Sequence, residues 1–198
     1  MPKRLLDLAL ASLALVLLSP LLLAAMLWVR LDSPGPVLFR QERVGRHGRL
    51  FRIHKLRTMR VDAPAVGPAI TAHTDARVTR AGRWLRRYRI DELPQLIDVL
   101  RGDMSLVGPR PEVPRFVALY PPELRARVLA VRPGITDPAS LEFVDESALL
   151  AGSADPERAY VETILPRTLQ RQVQYAERAT WWSDLAVMAR TLRVLLAR

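Results

Sequence analysis

From Leu8 to Val29 the chain reads LALASLALVLLSPLLLAAMLWV, twenty-two residues without a charge. As one straight helix this stretch would extend ~33 Å, long enough to span the hydrocarbon of a bilayer. Pro20 falls in its middle, where proline removes a backbone donor and frees the carbonyl four residues back, and the Ser19 hydroxyl is placed to satisfy such a carbonyl. The pattern predicts a membrane helix interrupted at Ser19-Pro20. Lys3 and Arg4 precede it and Arg30 follows, so the charged flanks set no preferred direction of crossing. Two arrangements stay open on these residues: a kinked single-pass anchor, and a helix that enters, breaks and returns to the same leaflet. A cleaved signal peptide fits less well, since the stretch is too long and offers no small-residue cleavage site.

Leu31 to Pro36 is turn-rich and ends the helix. VLFRQERVGRHGRLFRIHKLRTM then alternates apolar and polar residues on both sides of Gly45 to Gly48, which predicts a β-hairpin. Lys55 and Arg57, two apart near its exit, face the same way if the strand continues. Residues 61–74, with Pro64, Gly67 and Pro68, read as a loop. TRAGRWLRRYRI predicts a short helix that sets Arg80, Arg83, Arg86, Arg87 and Arg89 around Trp84, Leu85 and Tyr88, a composition suited to solvent or to a membrane interface. Met104 to Val107 reads as a short buried strand. Pro121-Pro122 opens a helix and Pro133-Gly134 closes it. Residues 156–198 predict two or three helices, the final one with Leu185, Val187, Met188, Leu192, Leu195 and Leu196 on one face beside Trp181 and Trp182. The sum is an α+β protein, mainly helical: a membrane segment over residues 1–32 and one small domain with a short β-hairpin over 33–198.

Thirty Lys and Arg against twenty Asp and Glu give a formal charge of +10 over 198 residues, and only Lys3 and Lys55 are lysines. Guanidinium forks suit phosphate oxygens, so the partner is anionic: nucleic acid, a lipid surface or a phosphorylated substrate. The absence of cysteine excludes disulfides, thiolate zinc sites and thiol catalysis. His47, His54 and His73 lack metal-ligand spacing and are assigned surface or hydrogen-bonding roles. With twelve aromatics and no stacking or groove-reading motif, a nucleic-acid partner is set aside.

Two stretches carry candidate chemistry. In Asp91-Glu92-Leu93-Pro94, proline is tolerated only in a first helical turn, which places Asp91 at the N-cap of the helix that follows. An ionised aspartate there, among arginines, suits a nucleophile or a Mg²⁺ ligand, although capping alone explains such a pair equally well. In Gly108-Pro109-Arg110-Pro111-Glu112 two prolines hold Arg110 on stiff backbone, fit for phosphate recognition or simply a rigid turn.

KLRTM at 55–59, DELPQL at 91–96 and GDMSLVGPRP at 102–111, in this order behind a Ser-Pro membrane helix, resemble the monotopic phosphoglycosyl transferases of the bacterial sugar transferase family, in their small, core-only form. The resemblance implies that Ser19-Pro20 breaks a re-entrant helix. It implies a bacterial inner membrane enzyme whose catalytic domain faces the cytoplasm, moving a phosphosugar from a UDP-sugar to polyprenol (undecaprenyl) phosphate with release of UMP. Asp91 would be the nucleophile and a Mg²⁺ ligand, Glu92 its base or orienting partner, and Arg110 a phosphate clamp, with Lys55 and Arg57 as further phosphate or nucleotide contacts. Membrane lipids are partners, nucleic acid is not, and a homodimer is left open. The chain departs from many members at Asp98, where they carry Asn, and after Thr136, where Asp137-Pro138-Ala139-Ser140 replaces a Gly-x-Ala-Gln segment, so the C-terminal third marks a subgroup.

Overall fold

A computed structural model describes residues 2–63, 75–142 and 155–197. Most of the loop expected over 61–74 lies outside them.

Helix α1, Pro2–Asp32, runs as one element through Pro20. Where two helices with a break are expected, helical bonding resumes past the proline. Ser19 Oγ donates to the Val16 carbonyl at 2.8 Å, the group that Pro20 leaves unbonded. Asp7, Ala11, Ala25 and Val29 are buried, with Ala14, Leu15, Leu22 and Met26 partly so. This spacing, close to eleven residues per three turns, lays one stripe of the helix along the domain. Its other face is open: Leu13, Val16, Leu17, Leu23, Leu27 and Leu31 are all more than half exposed. By length and composition α1 is able to cross a membrane, and so large an apolar surface fits membrane association.

The hairpin forms as expected: β1, Leu38–Val44, pairs antiparallel with β2, Leu50–Leu56, around a turn at Arg46–Gly48. Helix α2, Arg80–Arg87, is capped by the Thr79 side chain, which accepts from the Gly82 N–H. A 3₁₀ turn, Ile90–Gln95, leads into α3, Leu96–Arg101. Asp91 is therefore not an N-cap. It is the second residue of the tighter turn, which accommodates Pro94 before α3 starts at Leu96.

Strand β3, Ser105–Val107, pairs in parallel with β4, Gly134–Thr136. Short helices α4, Pro114–Val117, and α5, Pro122–Val128, lie between them, and Pro133-Gly134 opens β4 rather than closing α5. Backbones meet at Gly108 and Gly134, where a Cβ on Gly134 would sit 2.1 Å from the Gly108 nitrogen, so both positions require glycine. Helix α6, Pro138–Glu142, precedes α7, Pro156–Ala159, which continues through a wide turn at Tyr160–Ile164 into α8, Leu165–Arg178. Helix α9, Trp181–Leu196, starts on a capping box between Thr180 and Ser183. Two apolar clusters join α1 to the domain: Ala11 packs with Ile53, Leu96, Val99 and Met104, and Ala25 and Val29 with Leu56, Ala81, Leu85 and Ile90. A third, centred on Phe116, Tyr120, Tyr160 and Leu169, binds the C-terminal helices to the end of β1.

Candidate active site

Arg89 enters the 3₁₀ turn with φ of 56°, a left-handed conformation that costs a non-glycine residue ~1–3 kcal/mol and gathers at functional sites. The turn it starts buries the acidic pair: Asp91 is 2% and Glu92 5% exposed. Lys55 Nζ, at the end of β2, lies 2.9 Å from Asp91 Oδ2 and 3.3 Å from Glu92 Oε1. Arg110 Nη2 donates to the same Glu92 oxygen at 2.8 Å, and Arg89 Nη1 stands 3.3 Å from Oε2. Lys55, Asp91, Glu92 and Arg110, from three separate stretches, thus meet at one place.

The carboxylates form the floor of the site. Lys55, Arg89 and Arg110, with side chains about a fifth to a third exposed, form its rim. Burial pushes the Glu92 carboxyl up, but Arg110, then Lys55 and Arg89, outweigh it and hold the group well below the ordinary carboxylate range. Glu92 is therefore a fixed anion that organises three cations, and a poor proton acceptor near neutral pH.

Arg57 does not join this group. β2 ends at Leu56, so the strand alternation that would align Arg57 with Lys55 stops one residue early. Its guanidinium is turned to the exit of α1, donating to the carbonyls of Pro36 (2.6 Å) and Ser33 (2.8 Å) and to Ser33 Oγ (2.6 Å). It braces the exit of α1. Ser19 and Pro20 are likewise remote from the dyad, in the exposed middle of α1.

Three residues that sequence reasoning did not assign to the site support it. Arg43 on β1 donates to the Pro111 carbonyl at 3.0 Å and to Gln41 Oε1 at 2.6 Å, bracing the backbone beside Arg110; burial lowers its guanidinium. Arg86 turns inward from α2 to Thr58 Oγ1 at 2.8 Å, where burial lowers its guanidinium and the charge of Asp91 acts against that. Asp137, 1% exposed, accepts the Arg110 backbone N–H at 2.8 Å. The sequence signal for Asp137 was its departure from the pattern of many relatives.

Among the described residues no group of three or more metal-ligating side chains is present. Two adjacent buried carboxylates fit a hard cation that keeps most of its shell in substrate phosphates and water, rather than one caged by protein. The arrangement can bind a diphosphate on the rim and offer an anionic oxygen from the floor.

The chain is similar to a group of known proteins. The family model described as "Bacterial sugar transferase" matches residues 1–198. A UDP-glucose:undecaprenyl-phosphate glucose-1-phosphate transferase of Caulobacter vibrioides is 44% identical over 199 residues, covering 98% of this chain and 69% of that protein. A UDP-N-acetylgalactosamine-undecaprenyl-phosphate N-acetylgalactosaminephosphotransferase of Aeromonas hydrophila is 39% identical over 196 residues, 98% of this chain and 43% of its own length. An Escherichia coli glucose-1-phosphate transferase of the same description as the first is 44% identical over 136 residues, 68% of this chain and 29% of its own.

Proposed function

This chain belongs to the bacterial sugar transferase family, and from that premise we propose that it moves a phosphosugar from a UDP-sugar to undecaprenyl phosphate, with Asp91 as nucleophile, on the cytoplasmic face of the bacterial inner membrane. The observation that carries the reading is the buried Asp91 carboxylate under a rim of Lys55, Arg89 and Arg110. The cations receive the diphosphate. An Asp91 oxygen attacks the phosphorus next to the sugar, the bond from that phosphorus to the bridging oxygen breaks, and its electron pair leaves with UMP. An oxygen of undecaprenyl phosphate then attacks the aspartyl-bound phosphorus. The phosphorus–aspartyl oxygen bond breaks, the carboxylate re-forms, and an undecaprenyl diphosphate-sugar departs. Glu92 keeps Lys55 and Arg110 aimed at the phosphates throughout, and Asp137 and Arg43 steady the Arg110 loop. Asp91, with Glu92 beside it, would hold Mg²⁺ together with the diphosphate, where the ion supplies charge neutralisation.

The seating of α1 supports a helix with both ends on one side of the membrane. Near its start Arg4 donates to the Val99 carbonyl at 2.7 Å and Asp7 accepts from Ser105 Oγ at 2.8 Å; near its end Asp32 accepts the Ala81 N–H at 3.0 Å. One domain grips both ends while the middle stays exposed and apolar. Trp28, Trp84 and Tyr88 form a ladder with centroids 5.6 and 4.8 Å apart beside exposed Arg80, Arg83 and Arg87, a composition fit for the headgroup level. Cysteines introduced at Pro2 and Ser33 are expected to react with an impermeant maleimide from the same side of sealed vesicles. Labelling from opposite sides would restore a spanning anchor.

The activity is tested with purified protein, Mg²⁺, undecaprenyl phosphate, and UDP-glucose or UDP-N-acetylgalactosamine. UMP is the expected product. Release of UDP instead would mean ordinary glycosyl transfer and overturn the reading.

A further inference from the structure

Next to Lys55 on β2, and seven residues after Asp91, a second cross-link joins the same two segments as the catalytic one. Asp98 on α3 is 1% exposed and His54 on β2 is 5% exposed. Asp98 Oδ2 accepts the His54 backbone N–H at 2.9 Å, while Oδ1 stands 2.6 Å from the ring Nδ1. Arg101 Nη1 lies 3.5 Å from Nε2. A guanidinium only donates, so Nε2 is the acceptor and Nδ1 carries the hydrogen given to Asp98. One carboxylate thus grips both the main chain and the ring of the residue before Lys55.

We infer that the His54–Asp98 clamp is a positioning device that keeps Lys55 beside Asp91 while their own ion pair is dissolved and re-formed during turnover. This rests on the proposed aspartyl intermediate. In the free enzyme Lys55 is tied to Asp91 at 2.9 Å. Once Asp91 is esterified by the phosphosugar its negative charge is gone, and Lys55 keeps only the longer contact to Glu92 at 3.3 Å. When the acceptor phosphate attacks, negative charge returns to the Asp91 oxygen as its bond to phosphorus breaks, and a cation already in place stabilises that leaving carboxylate. Asp98 takes no part in the chemistry, so its grip on β2 is the same in every state.

The clamp should therefore matter most in the second half-reaction. Donor capture is shared by Lys55 with Arg110 and Arg89, and the clamp touches neither arginine. The informative variant replaces both partners, His54→Leu with Asp98→Leu. Removing a buried pair together, in favour of apolar residues of similar size, is often neutral for stability, whereas removing one partner strands the other. The double variant strands no side chain but leaves the buried His54 main-chain N–H without its carboxylate acceptor, so it is expected to stay folded with a modestly lower thermal midpoint.

Enzyme is first loaded with UDP-glucose or UDP-N-acetylgalactosamine, whichever supports UMP release, and then chased with undecaprenyl phosphate. In the double-leucine variant the chase is expected to slow about tenfold, with donor KM within about twofold of the parent. His54→Asn, whose side-chain amide offers a donor where Nδ1 stands, should restore the chase to within about threefold. A chase at the parental rate in the double variant, or equal losses in both half-reactions that His54→Asn fails to rescue, overturns the clamp and leaves the aspartyl mechanism standing. Loading of an Asp91→Asn control would instead remove the aspartyl mechanism itself, and the clamp with it.

Discussion

Replacing Asp91 by Asn is expected to lower turnover by a factor of about 10⁴ to 10⁶, the scale on which enzymes fail when a covalent nucleophile is removed. The change is isosteric at a position 2% exposed, so shape and packing are kept, and Lys55 retains Glu92 at 3.3 Å as a partner. What disappears is the anionic oxygen. An amide oxygen is a far weaker nucleophile and would give no carboxylate on departure. The sharpest measurement is intact mass after incubation with donor and Mg²⁺ but no acceptor. The parent should gain the mass of one phosphosugar while UMP appears in solution. Asp91→Asn should gain nothing, although it still binds the donor through Arg110, Arg89 and Lys55. An undiminished adduct on Asp91→Asn would move the nucleophile to another residue. No adduct on either protein, together with steady UMP release in the presence of acceptor, would favour direct attack by the lipid phosphate.

Local pattern carried the outline of this molecule further than its site. A run of twenty-two uncharged residues has few alternatives to a membrane-facing helix, and alternation around Gly45 to Gly48 has few alternatives to a hairpin. The motifs holding Lys55, Asp91, Glu92 and Arg110 were recognisable because each is a compact string. Residues whose role is set by tertiary contact were not. Arg43 occupies a strand position that reads as solvent-facing, yet the turn of Pro111 against β1 folds over it. Arg89 adopts left-handed backbone with no glycine or asparagine to announce it. The pairing of β3 with β4 involves three-residue strands nearly thirty positions apart, and depends on Gly108 and Gly134 letting two backbones touch, which no periodicity encodes. Arg57 shows the opposite error: period-two reasoning is sound only while the strand lasts, and β2 stops at Leu56. The same limit explains Asp91, where proline correctly signalled a helical start but not that a 3₁₀ turn would precede the helix.

Glu92→Gln is the second change expected to be severe, for a reason different from that of Asp91→Asn. In the proposed mechanism Glu92 performs no transfer; from a buried position it balances three cations that line the rim. Stranding a buried charge costs ~3–5 kcal/mol when no solvent reaches it. Arg110 and Arg89 keep about a third of their side chains in water and can rehydrate, so a loss of ~1–3 kcal/mol in stability is the reasonable expectation. Activity should fall by about 10²- to 10³-fold, because Lys55 and Arg110 lose the anchor that aims them. The pH dependence separates charge from shape. The folded-state pKa of Glu92 lies below its ordinary value of 4.5, so its contribution is complete above that pH and is lost as pH falls through the folded value. Thermal midpoints of parent and Glu92→Gln should therefore differ most at neutral pH and converge in acid, where protonated Glu92 and glutamine are electrically alike. A gap that stayed constant into strong acid would mean that the carboxylate matters for its packing alone, and the rim of cations would then need another source of order.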